Sequence, residues 1–377
     1  MAGQLNTTKD IARFLAPLIL AGCAPFGSPP EAEQQSKFDG SPQFNAESSR
    51  FENRRPNVIE ETREEAFNLS MIYEFFIADR PDGVPVQPLP QVTPQMAEFM
   101  APSDDLKIIW FGHSTFLLNF NDKTVLVDPM FSNSAAPVSF AVKRFQPPVI
   151  GLDDLPPIDF ILISHDHYDH LDMKSVQYFR DQAVTFITPL GVGSHLQGWG
   201  INAANIIERD WWDSIEFDGL EFIAAPAQHF SGRSLTDENK TLWASWIVRD
   251  AEHNVYFSGD TGYDTHFKAI GEQYGPFDVA FIESGQYNQA WKAVHLLPEE
   301  GVQAYQDLKA KRFFPIHWAM FELALHPWYE PVERLDALSA VNNVNLMTPK
   351  IGQITTVNSE SGFEKWWKAL ITKAPDR

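Results

Sequence analysis

Residues 164–172 read Ser-His-Asp-His-Tyr-Asp-His-Leu-Asp, so three imidazoles and three carboxylates fall within the eight positions 165–172. Neutral imidazole and carboxylate are ordinary ligands for zinc. Side chains this dense repel one another, or carry a costly desolvation, unless a cation sits between them. A solvated acidic turn would explain the carboxylates but not the three closely spaced histidines. The chemistry indicated is metal binding.

The elements that must position this cluster are legible from the flanking residues. The apolar run Ile158–Ile163 reads as a buried strand, which puts the cluster on the loop at its end. The same event recurs along the chain. The run Phe222–Gln228 ends at His229, Val255–Gly259 ends at Asp260, and Phe313–Ile316 ends at His317. A lone strand-end histidine is more often structural. Four such ends in one chain instead suggest ligands converging on one edge of a sheet core, a rigid way to hold metal.

The 377 residues suffice for one large domain or two ordinary ones, and 44% hydrophobic with 13% aromatic content describes a globular chain. Lys and Arg number 29 against 50 Asp and Glu, a net charge of −21 without any basic block. That balance argues against nucleic acid as a partner. No apolar stretch approaches the ~18 residues of a membrane span. Cys23 is the sole cysteine, which excludes an intramolecular disulfide and a cysteine metal site. Lys9 and Arg13 precede the apolar Phe14–Ala21, which runs into Leu20-Ala21-Gly22-Cys23. This resembles a bacterial lipoprotein signal, with 1–22 removed and Cys23 lipidated. It implies a membrane-anchored protein of the cell envelope facing the periplasm, or a cytoplasmic one if the signal is not processed. Residues 23–57, rich in Pro, Ser, Gln, Glu and Asn, read as a disordered tether.

Residues 58–104 read as a helical and wrapping extension. A helix is expected over Ile59–Ala78, with Ala66, Leu69, Ile72, Tyr73 and Phe76 packed on the main domain. An extended connector with six prolines follows over Pro81–Pro102. From 105 to 377 strands dominate. An opening pair is expected at Leu106–Phe120 and Lys123–Val127, then strands at Ile158–Ile163, Val184–Thr188, Asn205–Glu208, Leu220–Ala225, Leu242–Val248, Asn254–Ser258, Phe277–Glu283 and Arg312–His317. Helical patterns cover Met173–Arg180, His266–Tyr274, Pro298–Lys309 and Pro331–Val341. Runs of strands broken by occasional helices predict an α+β fold of two packed sheets flanked by helices.

His165-x-His167-x-Asp169-His170, then His229, Asp260 and His317, resemble the metallo-β-lactamase fold in its two-metal hydrolase form. The motifs Trp110-Phe111-Gly112-His113-Ser114-Thr115, Asp128-Pro129-Met130-Phe131, Asp210-Trp211-Trp212, Gln228-His229-Phe230 and Gly259-Asp260-Thr261-Gly262-Tyr263 resemble its N-acylphosphatidylethanolamine-hydrolysing phospholipase D branch. The likeness spans about residues 105–335. It implies an αββα four-layer sandwich and two Zn2+ per chain. His165, His167 and His229 would hold one ion, Asp169, His170 and His317 the other, and Asp260 would bridge them. A water shared by the two ions would be the nucleophile, oriented by Asp169. The resemblance also implies that His295 lies near the substrate phosphate, stabilising charge or protonating the leaving oxygen, and that Tyr168 donates to a phosphate oxygen. Where the family has a glutamine before that histidine this chain has Val294, a departure that bears on how the headgroup is recognised.

Other residues have plainer readings. His113 is expected to be a hydrogen-bonded structural residue beside the site, and Asp128 to support it without binding metal. Asp172 is expected to bond a metal-bound imidazole and fix its tautomer. His195, His253, His266 and His326 match no motif and read as surface or core residues. Trp211 and Trp212 either line an acyl groove or pack in the core. The resulting expectation is a zinc-dependent phosphodiesterase acting on a phospholipid or other phosphodiester, as a monomer or a homodimer. A lactonase or esterase for a small soluble substrate would use the same ligands, and a binding protein on an inherited fold would have been free to lose them.

Overall fold

The computed structural model describes residues 24–66, 73, 80, 82–359 and 362–371. The signal-like segment, Cys23, Leu69, Ile72 and Phe76 lie outside the described residues.

A short hairpin, β1 (Phe44–Asn45) with β2 (Arg50–Phe51), precedes two large sheets. The first has seven strands. In chain order they are β3 (Lys107–Gly112), β4 (Thr115–Phe120), β5 (Lys123–Val127), β6 (Phe160–Leu162), β7 (Thr185–Pro189) and β8 (Ile206–Arg209), with the late strand Ile354–Thr356 on the edge beside β3. The second has six: β9 (Ser214–Phe217), β10 (Leu220–Ala225), β11 (Ser245–Arg249), β12 (Asn254–Phe257), β13 (Val279–Glu283) and β14 (Phe313–Ile316).

Strand periodicity assigns the layers. In β3, Ile108 and Trp110 face the second sheet while Ile109 and Phe111 face outward. Between the sheets Phe116 stacks on Phe281 with centroids 4.0 Å apart. Outside the first sheet, helices Met173–Tyr178 and Val192–Gly198 bury Val176 and Leu196 against Leu126 and Ile161. Outside the second, helices His266–Gln273, Pro298–Asp307 and Glu330–Asn342 bury Phe267, Val302 and Leu335 against Tyr256 and Ile282. The expected sandwich, two sheets between two layers of helices, is the observed fold.

Direction matters more than layering for the site. Strands β5 to β8 run parallel, as do β12 to β14. Strand β10 is two antiparallel steps from β12 and so points the same way. The carboxyl ends of β5, β6, β10, β12, β13 and β14 therefore open on a common edge, where the loops of a sheet-based fold gather ligands.

Several expectations are corrected. Residues 24–57 do not form a free tether. Phe38 and Phe51 are buried in the core between the sheets, and Phe44 packs on both. The stretch is poor in aliphatic residues, but its few aromatic rings supply the burial. The helix over 58–66 matches the expected start, yet Tyr73 is exposed rather than packed. The opening strand Leu106–Phe120 is two strands, because the chain reverses at His113, whose φ is +52°. Strand β9, the helix Val192–Gly198 and the edge strand Ile354–Thr356 were not anticipated. Each is short and lacks a long periodic run.

Candidate metal centre

The loop after β6 carries the densest group. His165, His170 and Asp166 are buried, and backbone bonds from His170 and Leu171 to the His167 carbonyl close a tight turn. The β3–β4 turn is tied to the end of β14, because His113 N–H donates to Trp318 C=O and His317 N–H donates to His113 C=O, both at 3.0 Å. His113, Asp128 and His317 all sit at positive φ, an unfavourable conformation for non-glycine residues that the surrounding sheet must enforce.

Two groups of ligand atoms result. In one, His165 Nε2 and His229 Nε2 stand 2.9 and 3.2 Å from His167 Nδ1, and each is 3.8 Å from Asp260 Oδ2. In the other, His170 Nε2 and His317 Nε2 each lie 3.3 Å from Asp169 Oδ2 and 3.2 Å from Asp260 Oδ2. Ligands of a tetrahedral ion bonded at ~2.0–2.1 Å stand about 3.3–3.4 Å apart, so these separations are the edges expected around a bound cation. Asp260 Oδ2 is common to both groups.

The chemistry of the donors fits the same reading. His170 Nε2 and Asp260 Oδ1 are buried without a hydrogen-bond partner. The outer ring nitrogens of four ligands are each held. His165 Nδ1 meets Ser164 Oγ at 2.9 Å and His170 Nδ1 meets Asp128 Oδ2 at 2.7 Å. His229 Nδ1 meets the Val294 carbonyl at 3.0 Å and His317 Nδ1 meets Glu283 Oε2 at 3.3 Å. Such partners fix the tautomer and aim the other nitrogen inward.

Electrostatics divides the groups. Burial, together with neighbouring histidines, holds His165 and His229 well below the usual imidazole range, and burial lowers His167 too. Burial also opposes charge on His170 and His317. There the facing carboxylates win: Asp260 and Asp169 hold His170 well above its usual value, and with Glu283 they push His317 up to about 10. Burial works against the Asp169 and Asp260 carboxylates, yet the same histidines hold both well below the usual range. The carboxylates thus favour positive charge on His170 and His317, as expected of a site built for cations.

Residues 123–318 match the model of the β-lactamase superfamily domain. The chain belongs to the metallo-β-lactamase superfamily. An uncharacterised protein of Mycobacterium tuberculosis is 40% identical over 305 residues, covering 80% of this chain and 81% of the relative. The N-acyl-phosphatidylethanolamine-hydrolyzing phospholipase D 1 of Caenorhabditis elegans is 35% identical over 263 residues, covering 65% of this chain and 74% of that enzyme. Among solved structures, the metallo hydrolase Igni18 of Ignicoccus hospitalis superposes with a TM-score of 0.54 at 22% identity, covering 67% of this chain and 97% of that one, a likeness of fold. The protein is a metal-dependent hydrolase of this superfamily.

Within this metallo-β-lactamase framework the seven expected ligands meet, and some supporting residues differ from expectation. Asp172 bonds no imidazole. It caps the helix Met173–Tyr178 by accepting from Lys174 N–H and Ser175 N–H. The Tyr168 hydroxyl donates to the Arg233 carbonyl at 2.6 Å and its ring lies under the Arg233 guanidinium, so here its proton is directed to the main chain rather than into the ligand groups. Trp211 is core, donating to the Trp243 carbonyl, and Trp212 stacks on Tyr274 at the surface. His195, His253, His266 and His326 stand apart from the ligand groups. Of these, buried His195 lies 3.3 Å from Asp166 Oδ2. His113 is hydrogen-bonded beside the site, 2.8 Å from Asp169 Oδ2, and burial together with His317 lowers it to about 3, so it donates to that carboxylate as a neutral ring.

Glu283 was missed. Fully buried at the end of β13, it lies 2.8 Å from His295 Nδ1 and accepts from Thr261 N–H at 2.7 Å. The rule that ligands sit at strand ends applies to Phe277–Glu283 as well and would have found it. Gly259 is the other silent contributor. At φ +57° it turns the chain into Asp260, and a Cβ there would lie 2.9 Å from Ser164 Cβ and 3.0 Å from the Ala244 carbonyl. Gly259→Ala is expected to lower the unfolding free energy by on the order of 2–4 kcal/mol, from left-handed strain plus overpacking. Urea denaturation of metal-free protein measures it, and a loss below half a kilocalorie would contradict the fit described.

Proposed function

We propose that this protein is a zinc-dependent phosphodiesterase that cleaves the headgroup bond of a phospholipid of the N-acylphosphatidylethanolamine class. The observation that carries the reading is the single Asp260 oxygen shared by two ligand groups with tetrahedral edges. The lipid phosphodiester is supported by the similarity to the nematode phospholipase. Zinc, when bound, supplies Lewis acidity toward a phosphoryl oxygen and lowers the pKa of water to ~7.

The chain's own residues account for the remaining steps. Asp169, drawn to His113, His170 and His317, contributes its carboxylate to one ligand group and orients the attacking water. His295 is only partly buried, and its ring lies 5.1 Å from that of His229 and 5.3 Å from that of His317, beside a ligand of each group. With Nδ1 held by Glu283, its Nε2 is left to deliver a proton to the departing headgroup oxygen. The products are the headgroup alcohol and a phosphatidic acid-like lipid. Val294 does not weaken the scheme at the ligand level, since it holds His229 through its carbonyl, a contact any residue type supplies.

Purified, zinc-loaded chain assayed on parallel panels of phosphodiesters and lactones tests the assignment. Cleavage of N-acylphosphatidylethanolamine in mixed micelles, with little turnover of lactones, is the expected result. A preference for lactones by orders of magnitude would replace it with a carboxylic ester hydrolase built on the same ligands.

A further inference from the structure

Residues 44–66 lie outside the span that matches the family model, 123–318, yet they grip the loops that carry the ligands. Phe51 N–H donates to the Asn239 carbonyl at 2.8 Å and Arg50 pairs with Glu238. Arg54 Nη2 donates to Thr265 Oγ1 at 3.2 Å, five residues beyond Asp260. The helix Val58–Ala66 packs on the turn Gln289–Trp291, which leads into His295.

At the middle of this brace stands Asn53. Its Oδ1 accepts the His229 N–H at 3.0 Å while its Nδ2 donates to the His229 carbonyl at 2.7 Å. No other hydrogen bond to the His229 main chain is seen among the described residues. His229 is buried and follows the end of β10, beyond the last ladder pair at Ala225. The side-chain amide therefore replaces the neighbouring strand that His229 lacks, satisfying both of its peptide groups. With the Val294 carbonyl on Nδ1, main chain and ring of this histidine are each fixed from a different segment.

We propose that Asn53 is a positioning residue for His229, so that the N-terminal segment completes the ligand group of His165, His167 and His229. The inference rests on the two-ion reading above. It concerns only one of the two groups: among the described residues, Asp169, His170 and His317 make no hydrogen bond to residues 44–66. Site selectivity is therefore its signature.

The test titrates Zn2+ against a competing chelator into metal-free, full-length wild type, Asn53→Ala and Asn53→Asp. The aspartate variant keeps the acceptor for His229 N–H and sets a second oxygen against its carbonyl. In both variants one ion is expected to bind about 10- to 100-fold more weakly while the other stays within about threefold of wild type, the range seen when a ligand's supporting contact is removed. Circular dichroism of the metal-free proteins confirms that both variants fold. Two unchanged affinities overturn the proposal, as does equal weakening of both ions with a lowered melting temperature, which would make Asn53 a general structural residue. Wild type that takes up no zinc would overturn the two-ion reading itself and the inference with it.

Discussion

Asp260→Asn is expected to reduce zinc content from two ions per chain toward one and to lower kcat/KM by at least about 10^3-fold, the upper end for loss of one preorganised electrostatic contact being a floor here. The substitution keeps shape and one oxygen but removes the charge that both ligand groups share. In the metal-free chain that carboxylate is already held ionised against its burial by His170 and His317. An amide cannot reproduce this, and its NH2 would point a donor at a place built for a cation. Asp260 Oδ2 stands 3.2 Å from two ring nitrogens of one group and 3.8 Å from two of the other, so loss of its charge reaches both groups at once. Metal analysis by mass spectrometry and initial rates on the phosphodiester measure the two effects together. Two zincs retained with activity within tenfold of wild type would remove Asp260 from its bridging role.

How far the site could be read from sequence follows from what each residue does. Ligands announce themselves, because a histidine or aspartate closing an apolar run is chemically out of place: His165, His170, His229, Asp260 and His317 were visible for that reason. Residues that hold the ligands are ordinary by type. Ser164, which donates to Asp128 and meets His165, looks like any loop serine. Glu283 is the exception among them: a buried carboxylate closing an apolar strand, as Asp260 nearly does, it obeys the same rule and was passed over as the last residue of its strand. Asn53 lies in a polar stretch whose composition suggests disorder, and its value depends on a contact 176 positions away. The sheets were legible because β3 to β6 and β10 to β14 are apolar on both faces. What composition could not show was that three phenylalanines, Phe38, Phe44 and Phe51, pin an otherwise polar segment to that core.

The pair His295 and Glu283 separates proton delivery from metal binding. His295→Ala is expected to lower kcat by about 10^2- to 10^4-fold, the usual contribution of a positioned general acid, while both zinc ions stay bound. Glu283→Gln should act in two ways. It loosens the tautomer of His295 through Nδ1, and it weakens the hold on His317 Nδ1, so zinc affinity in that group falls along with kcat. The double variant tells these apart. If Glu283 acts on turnover through His295, the second substitution costs little further kcat in the alanine background, whereas independent contributions would multiply. The loss of zinc affinity, carried through His317, should persist in the double variant. Substrates with a good leaving group, which need no proton, should recover most of the activity of His295→Ala; equal losses on activated and unactivated diesters would show that His295 binds the phosphate rather than protonating the oxygen that leaves.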